Sequence, residues 1–368
     1  MTTRSVRESR QVRLDRVCGA IIVAMLGAAA YAPGGGQRTT VGAAPCTFAN
    51  PIATGQDPWV VRAGVSYYFV ESVGRAIWVY KSDALTRIKD HGVKVWTAPD
   101  TGWNSTNVWA PELHEIDGRW YIYYAAGRAG PPFIHQRAGV LQSVTADAQG
   151  AYDDRGMLYT GDSIATGAGN RWAIDLTVHR INGQLYAAWS GWTSAATTDR
   201  TPQHLYMARM SDPWTIATNR VLVSSPVESW ERGTELDLQE GPEFLEHEGT
   251  VFIIYSTRES WLPAYKLGQL RLTAPLTAPM NPDSIVKSGP VFAGTPRVFG
   301  VGHASFTTSP DGREQWIVYH SKVATTPGWD RDIRMQRFGW KPDGSPDFGT
   351  PVAAGDAIAA PSGQCVAR

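Results

Sequence analysis

The chain repeats one strand–turn–strand unit five times, and few architectures tolerate that. The units are DPWVVRAGVSYYFVES, APELHEIDGRWYIYYAAG, DLTVHRINGQLYAAWSG, EGPEFLEHEGTVFIIYST and HASFTTSPDGREQWIVYHS. Each opens on a head residue, runs through an apolar strand and a turn glycine, and returns in a second strand dense in aromatics. The heads are Asp57, Ala110, Asp175, Glu240 and His303, at intervals of 53, 65, 65 and 63 residues. Asn182-Gly183 and Asp117-Gly118 are the pairs a two-residue hairpin turn favours, and the flanking runs are rich in β-branched and aromatic residues. Helix signals are nearly absent, and a period of about 65 residues suffices for one four-stranded sheet with its loops. The expectation is an all-β, single-domain, five-bladed β-propeller. A two-sheet sandwich has a similar strand count but no reason to repeat five times at near-constant spacing.

In a propeller the innermost strand of every blade lines a central channel, so equivalent heads converge on one axis. Three of the five heads are carboxylic acids. Acids facing one another across a channel mouth repel, and the crowding drives their pKa values apart. Hydrolysis of a glycosidic bond uses such a set, with a carboxylate base to activate water and a carboxylic acid to protonate the departing oxygen. Taken singly each acid has a plainer reading: Asp57-Pro58 as a turn, Asp175 as a cap satisfied by backbone amides, Glu240-Gly241-Pro242 as a loop. Their shared place in the repeat favours the channel.

Lysine plus arginine equals aspartate plus glutamate, 34 each, so no global field draws the chain to nucleic acid or to an anionic membrane. The chain has 15 tryptophans and 14 tyrosines, whose flat faces serve either the core or stacking on sugar rings. Gly34-Gly35-Gly36 lacks the lysine and strand–helix context of a phosphate cradle, and no HExxH or paired-cysteine spacing marks a metal enzyme.

Arg4, Arg7, Arg10, Arg13 and Arg16 precede the apolar run Gly19 to Ala32, which ends in Ala30-Tyr31-Ala32. This reads as a signal peptide over residues 1–32, followed by a short linker, 33–45, and the propeller domain, 46–368; an uncleaved anchor is the alternative. No twin-arginine pair or lipobox is present. Export leaves Cys46 and Cys365 at opposite ends of the mature chain, either as a disulfide or as two unrelated thiols. A bridge would require the termini to meet.

The strings DPWVV, NVWAPELH with DGRWYIYY, AIDLTV and EGPEFL, taken in order, resemble glycoside hydrolase family 43, and the resemblance runs over essentially the whole mature chain. It implies a five-bladed propeller that hydrolyses arabinose- or xylose-containing plant polysaccharides with inversion at the anomeric carbon. It assigns Asp57 as general base, Asp175 as the acid that raises and orients the proton donor, and Glu240 as general acid. Inversion requires room for water, so the Asp57 and Glu240 carboxyls are expected about 6.5–9.5 Å apart. His303 matches a channel histidine that often meets a calcium ion through water, although one neutral imidazole is a poor hard-cation site and an ordinary hydrogen-bonded histidine is the alternative. The chemistry itself requires no cofactor.

Arg334 resembles the substrate-contacting arginine of the last blade, with a surface ion pair to Asp330 or Asp332 as its other reading. Trp109 takes the place of a sugar-stacking ring, while Trp103, Trp192 and Trp261 lie either in cleft walls or between blades. Glu112, two residues past Ala110, faces the same way one step deeper, in a structural role. RWAIDLTVHRINGQLYAAWSGW, PVESWER and SWLPAYKLG look most like the α-L-arabinofuranosidase branch, with endo-arabinanase and β-xylosidase as alternatives. Leu176 stands where that branch often carries a small residue. The implied partner is an arabinose-containing oligo- or polysaccharide, and the implied state is a secreted monomer. A non-catalytic carbohydrate-binding propeller is the rival from another class, and the complete acid set distinguishes the two.

Overall fold

A computed structural model describes residues 46–273 and 276–365. The expected signal peptide and linker lie outside these residues. Among the described residues no helix is long and apolar enough to cross a membrane, and the only helical segments are two single 3-10 turns.

Each repeat folds into one antiparallel sheet. The first blade comprises Trp59–Ala63, Ser66–Val73, Ala76–Ser82 and Gly92–Thr97. The second comprises Thr106–Ile116, Arg119–Gly127, Arg137–Ser143 and Tyr152–Met157. The third is built from Ala173–Ile181, Gln184–Gly191, His204–Asp212 and Val221–Ser224, the fourth from Gln239–His247, Thr250–Thr257, Lys266–Leu272 and Ile285–Ala293. The fifth has Phe299–Thr308, Gln315–Lys322 and Arg331–Trp340. Asp117-Gly118 and Asn182-Gly183 each hold two successive positive φ angles, 52° and 76°, 51° and 81°, the backbone that matches the twist of a tight hairpin.

The apolar sides of neighbouring sheets face each other, giving five cores in place of the single interlayer core of a sandwich. Val70 and Val79 of the first blade meet Leu113 and Ile122 of the second, and Tyr123 and Val140 meet Leu176 and Trp189 of the third. Met207 packs with Ile253, and Phe252 with Ile317 and Tyr319. Trp316 and Val318 of the fifth blade close on Val60 and Phe69 of the first. Alternate residues of each strand therefore read as apolar on both faces, which is why the strands look more continuous than alternating.

The fifth blade borrows its outer strand from the start of the domain. Ala53–Thr54 pairs antiparallel with Ile333 and Asp332. Asn50 extends the rung: its side chain donates to Met335 O (2.9 Å) and accepts from Met335 N (3.0 Å). Beyond it, Thr47 and Phe48 pair with Ala359 and Ile358, and Cys46 is bonded to Cys365, 319 residues away. The termini meet, as the bridge requires.

Candidate active site

All five inner strands carry the same backbone device. Asp57, Ala110, Asp175, Gly241 and His303 have φ of 47°, 38°, 54°, 53° and 45°, in the left-handed region. In the second to fifth blades this residue falls at a break in pairing register, between Trp109 and Glu112, Ile174 and Thr177, Glu240 and Glu243, and Gly302 and Ser305. A bulge of this kind adds a residue and re-aims a side chain. The fourth head is therefore Gly241, and Glu240, taken as a head from the sequence, sits one residue before it. A side chain there is crowded: a Cβ on Gly241 would lie 3.2 Å from the His303 ring. With the head position reduced to a hydrogen atom, the acid is supplied from the preceding residue.

Asp57 is enclosed by three groups of the fifth blade. Its backbone N–H donates to His320 Nδ1 (3.1 Å), and the same nitrogen lies 3.2 Å from its Oδ1. His303 Nδ1 is 3.3 Å and Arg331 Nη1 3.5 Å from that oxygen. Burial pushes the carboxyl up, but the charge on His303 and the Arg331 guanidinium outweigh it and hold Asp57 well below the ordinary carboxylate range. Burial and Arg331 push the His320 imidazole down to about 3, so it stays neutral.

Asp175 and Glu240 behave in the opposite sense. They are 4% and 8% exposed, and they titrate as a coupled pair. Burial, with Glu240 and Asp57 nearby, pushes Asp175 up to about 7 against the opposing His303 charge and the Gly241 N–H that it accepts at 3.0 Å. Burial and Asp57 likewise raise Glu240, although His303, Arg331 and the Tyr265 hydroxyl, which donates to Oε1 at 2.9 Å, work against this. Tyr265 stacks on His320 at 5.5 Å, joining the surroundings of the two outer acids. At this axis one carboxylate is stabilised as the anion and two carboxyls favour holding a proton.

His303 lies beside the three acids. Its N–H donates to Ser256 Oγ (2.7 Å), and the three acids together raise its pKa despite burial. Its Nδ1 is turned to Asp57, and among the described residues no group of three or more His, Cys, Asp or Glu side chains is placed to hold a metal ion. The side chains present do not form a calcium cage, and no step below depends on one.

Arg334 is elsewhere. Its Nε donates to Ser321 Oγ and its Nη1 to Val352 O, so it ties the fifth blade to the following segment. The arginine at the acids is Arg331. The resemblance pointed to Arg334, three residues further along the strand, and an odd separation along a strand reverses the side-chain direction.

A pocket of about 260 Å³ opens over Asp57, lined by Gln56, Ala110, Pro111, Trp329, Asp330 and Arg331, among others. Trp329 is 61% exposed, with its ring centroid 5.4 Å from that of Trp261 and 5.0 Å from the Arg331 guanidinium. The ring that lines the pocket is Trp329, which the sequence reading passed over, and Trp261 packs against it. Trp192 is buried and stacks on Trp172 at 4.4 Å. Half-buried Trp109 packs against that cluster, edge-on to Phe133, and Trp103 covers Tyr124 within the second blade. Leu176 faces the core between the second and third blades, so its size does not shape the sugar pocket.

Below the heads lies a second polar layer. His114 Nε2 is 2.9 Å from Glu112 Oε2, and Thr177 donates to Glu243 at 3.3 Å. Burial and the neighbouring Glu112 push the Glu243 carboxyl well up. Glu112 thus takes the structural place expected of it.

The chain resembles known proteins over most of its length. The chain is 32% identical over 324 residues to an extracellular exo-α-(1→5)-L-arabinofuranosidase of Streptomyces avermitilis, covering 84% of this chain and 64% of that protein. It is 35% identical over 271 residues to α-L-arabinofuranosidase 43 of Humicola insolens, covering 71% of this chain and 53% of that protein. It therefore spans less than two thirds of the length of both. The crystal structure of an α-L-arabinofuranosidase from Lactobacillus brevis superposes with a TM-score of 0.75 at 28% identity, covering 84% of this chain and 98% of that one. Residues 48–346, which carry all five blades and every acid described above, match the model of the glycosyl hydrolases family 43, and the chain belongs to that family.

Proposed function

We propose that the chain is a secreted, inverting glycoside hydrolase that releases terminal L-arabinofuranose from arabinan- or arabinoxylan-type polysaccharides. The observation that carries this reading is the split among the acids, with Asp57 held ionised while Asp175 and Glu240 are raised. Opposite displacement of neighbouring carboxyls is what separates a base from an acid. The names of the relatives supply the sugar.

In this mechanism Asp57 takes a proton from a water molecule as that water attacks the anomeric carbon. Glu240 gives its proton to the departing oxygen, and Asp175 keeps it protonated until then. The leaving group exits as an alcohol, the sugar gains the hydroxyl from the opposite face, and the two carboxyls have exchanged one proton. Arg331 and His303 keep Asp57 charged, and the Tyr265 hydroxyl fixes the carboxyl that donates.

The Cys46–Cys365 bridge supports an oxidising compartment, and with it the leader at 1–32, the linker at 33–45 and a propeller unit of 46–368 acting as a monomer.

The test is hydrolysis of 4-nitrophenyl α-L-arabinofuranoside and β-D-xyloside by the wild type and by Glu240→Gln, with the anomer of the first product followed by NMR. Arabinoside cleavage with an inverted product, reduced by about 10²–10⁴-fold in the variant, is expected. Xyloside cleavage alone would reassign the sugar. Cleavage of neither by folded wild type would move the reading to endo action or to a binding propeller.

A further inference from the structure

A second pocket, of about 340 Å³, lies at the junction of the fourth and fifth blades. It is lined by Pro263, Ala264, Lys266, Pro296, Phe299 and Thr325, among others, and no acidic residue lines it. Two segments connect it to the catalytic pocket. Residues 261–265 carry Trp261 and the acid's partner Tyr265, with Pro263 and Ala264 between them. The loop from Thr325 to Arg331 lines the second pocket at one end and the catalytic pocket at the other, and Gly328 N–H donates to Trp261 O (3.0 Å) where the segments touch.

The charge in the second pocket is uncompensated. Among the described residues Lys266 makes no ion pair or hydrogen bond, and burial together with nearby Arg258 lowers its pKa. Arg258 has φ of 66°, rare for a long side chain, and its buried Nε has no partner. Glu259, the acid next in sequence, does not neutralise them: its Oε1 accepts the N–H groups of Thr234, Glu235 and Leu236. By contrast, Lys287 is paired with Glu231, and Arg220 with Asp162. A half-buried cation held beside a like charge is relieved by an anion. The proline and phenylalanine surfaces next to it suit the C–H face of a sugar ring.

We infer that this pocket binds a uronate unit of the same polysaccharide, with the carboxylate on Lys266, the one charged side chain that lines it, and the ring against Phe299 and the prolines. The inference rests on the proposed saccharide substrate. It makes the enzyme select acidic stretches of a polymer whose scissile arabinose is itself neutral.

The experiment is calorimetric titration of the full chain carrying Glu240→Gln with a uronate-containing, arabinofuranose-bearing oligosaccharide, and with the same oligosaccharide after reduction of its carboxyl to the alcohol. The acid form is expected to bind about tenfold more tightly, with the difference removed by Lys266→Met or by about 1 M salt. Lys266→Met alone should leave hydrolysis of the small neutral aryl arabinofuranoside at the wild-type rate. Equal affinity for the two forms overturns the inference, as does discrimination that survives Lys266→Met. Sulfate displacing the acid oligosaccharide at equal concentration reduces the site to a general anion site and also overturns it. Failure of the wild type to cleave the aryl arabinofuranoside would count against the catalytic reading, while the titration would still decide the uronate site.

Discussion

Asp175→Asn should stabilise the protein at alkaline pH while nearly abolishing its activity. The folded state holds the Asp175 carboxyl near 7, against an ordinary value near 3.8. Because the folded pKa is raised, the folded chain binds more protons than the unfolded chain between those values, and wild-type stability falls as pH rises through that window. The asparagine has no such slope, and it can still accept the Gly241 N–H. Between pH 5 and pH 7 the stability gap should therefore move in favour of the variant by about 3 kcal/mol, at about 1.4 kcal/mol per pH unit. Sharing of the titration with Glu240 spreads the change over a wider range. Urea unfolding of both proteins at pH 5, 7 and 8.5, with equal m-values as the check on two-state behaviour, measures it. A stability difference independent of pH, or a variant that loses stability relative to wild type as pH rises, would refute the argument that burial and repulsion hold a proton on this pair.

Two further substitutions probe the other arms of the site. Arg331→Met removes one of the cations that depress Asp57, so the Asp57 pKa should rise and the acid limb of kcat/KM move up by about one unit; an unshifted limb would mean that His303 suffices. Gly241→Ala places a Cβ 3.2 Å from the His303 ring at φ 53°, and it should cost about 1–2 kcal/mol of stability and lower kcat more than it raises KM, whereas a variant as stable as wild type would show that the fourth head tolerates any small residue.

Much of this was legible in the sequence, for identifiable reasons. The blades could be read because each repeat combines a hairpin turn signal with an aromatic return strand, and the bridge because two cysteines stood at the ends of a ring. Asp57 and Asp175 could be read because they occupy the same step of the repeat. Glu240 was found one step out of phase, since the left-handed backbone that makes Gly241 the true head leaves no mark in hydrophobic pattern. The resemblance singled out Arg334 and passed over Arg331, which stands at the start of the strand, a boundary no local residue marks. His320 and Tyr265 come from the second and third strands of neighbouring blades. A polar residue inside the apolar run QWIVYHSK was the one available hint of the former. The packing of Trp261 on Trp329 is a contact between two loops, and loop pairing has no periodicity to read.

The strand that closes the ring has a consequence for when activity can arise. Asp57 stands three residues after Thr54, and both groups that set its charge, His303 and Arg331, belong to the last blade to leave the ribosome. In the proposed mechanism the base is therefore encoded first and completed last. A nascent or truncated chain holding four finished blades would carry Asp175 and Glu240 in place yet have no poised nucleophile-activating carboxylate. Ring closure thus works as a check on completeness: water is activated only by a molecule whose beginning has found its end.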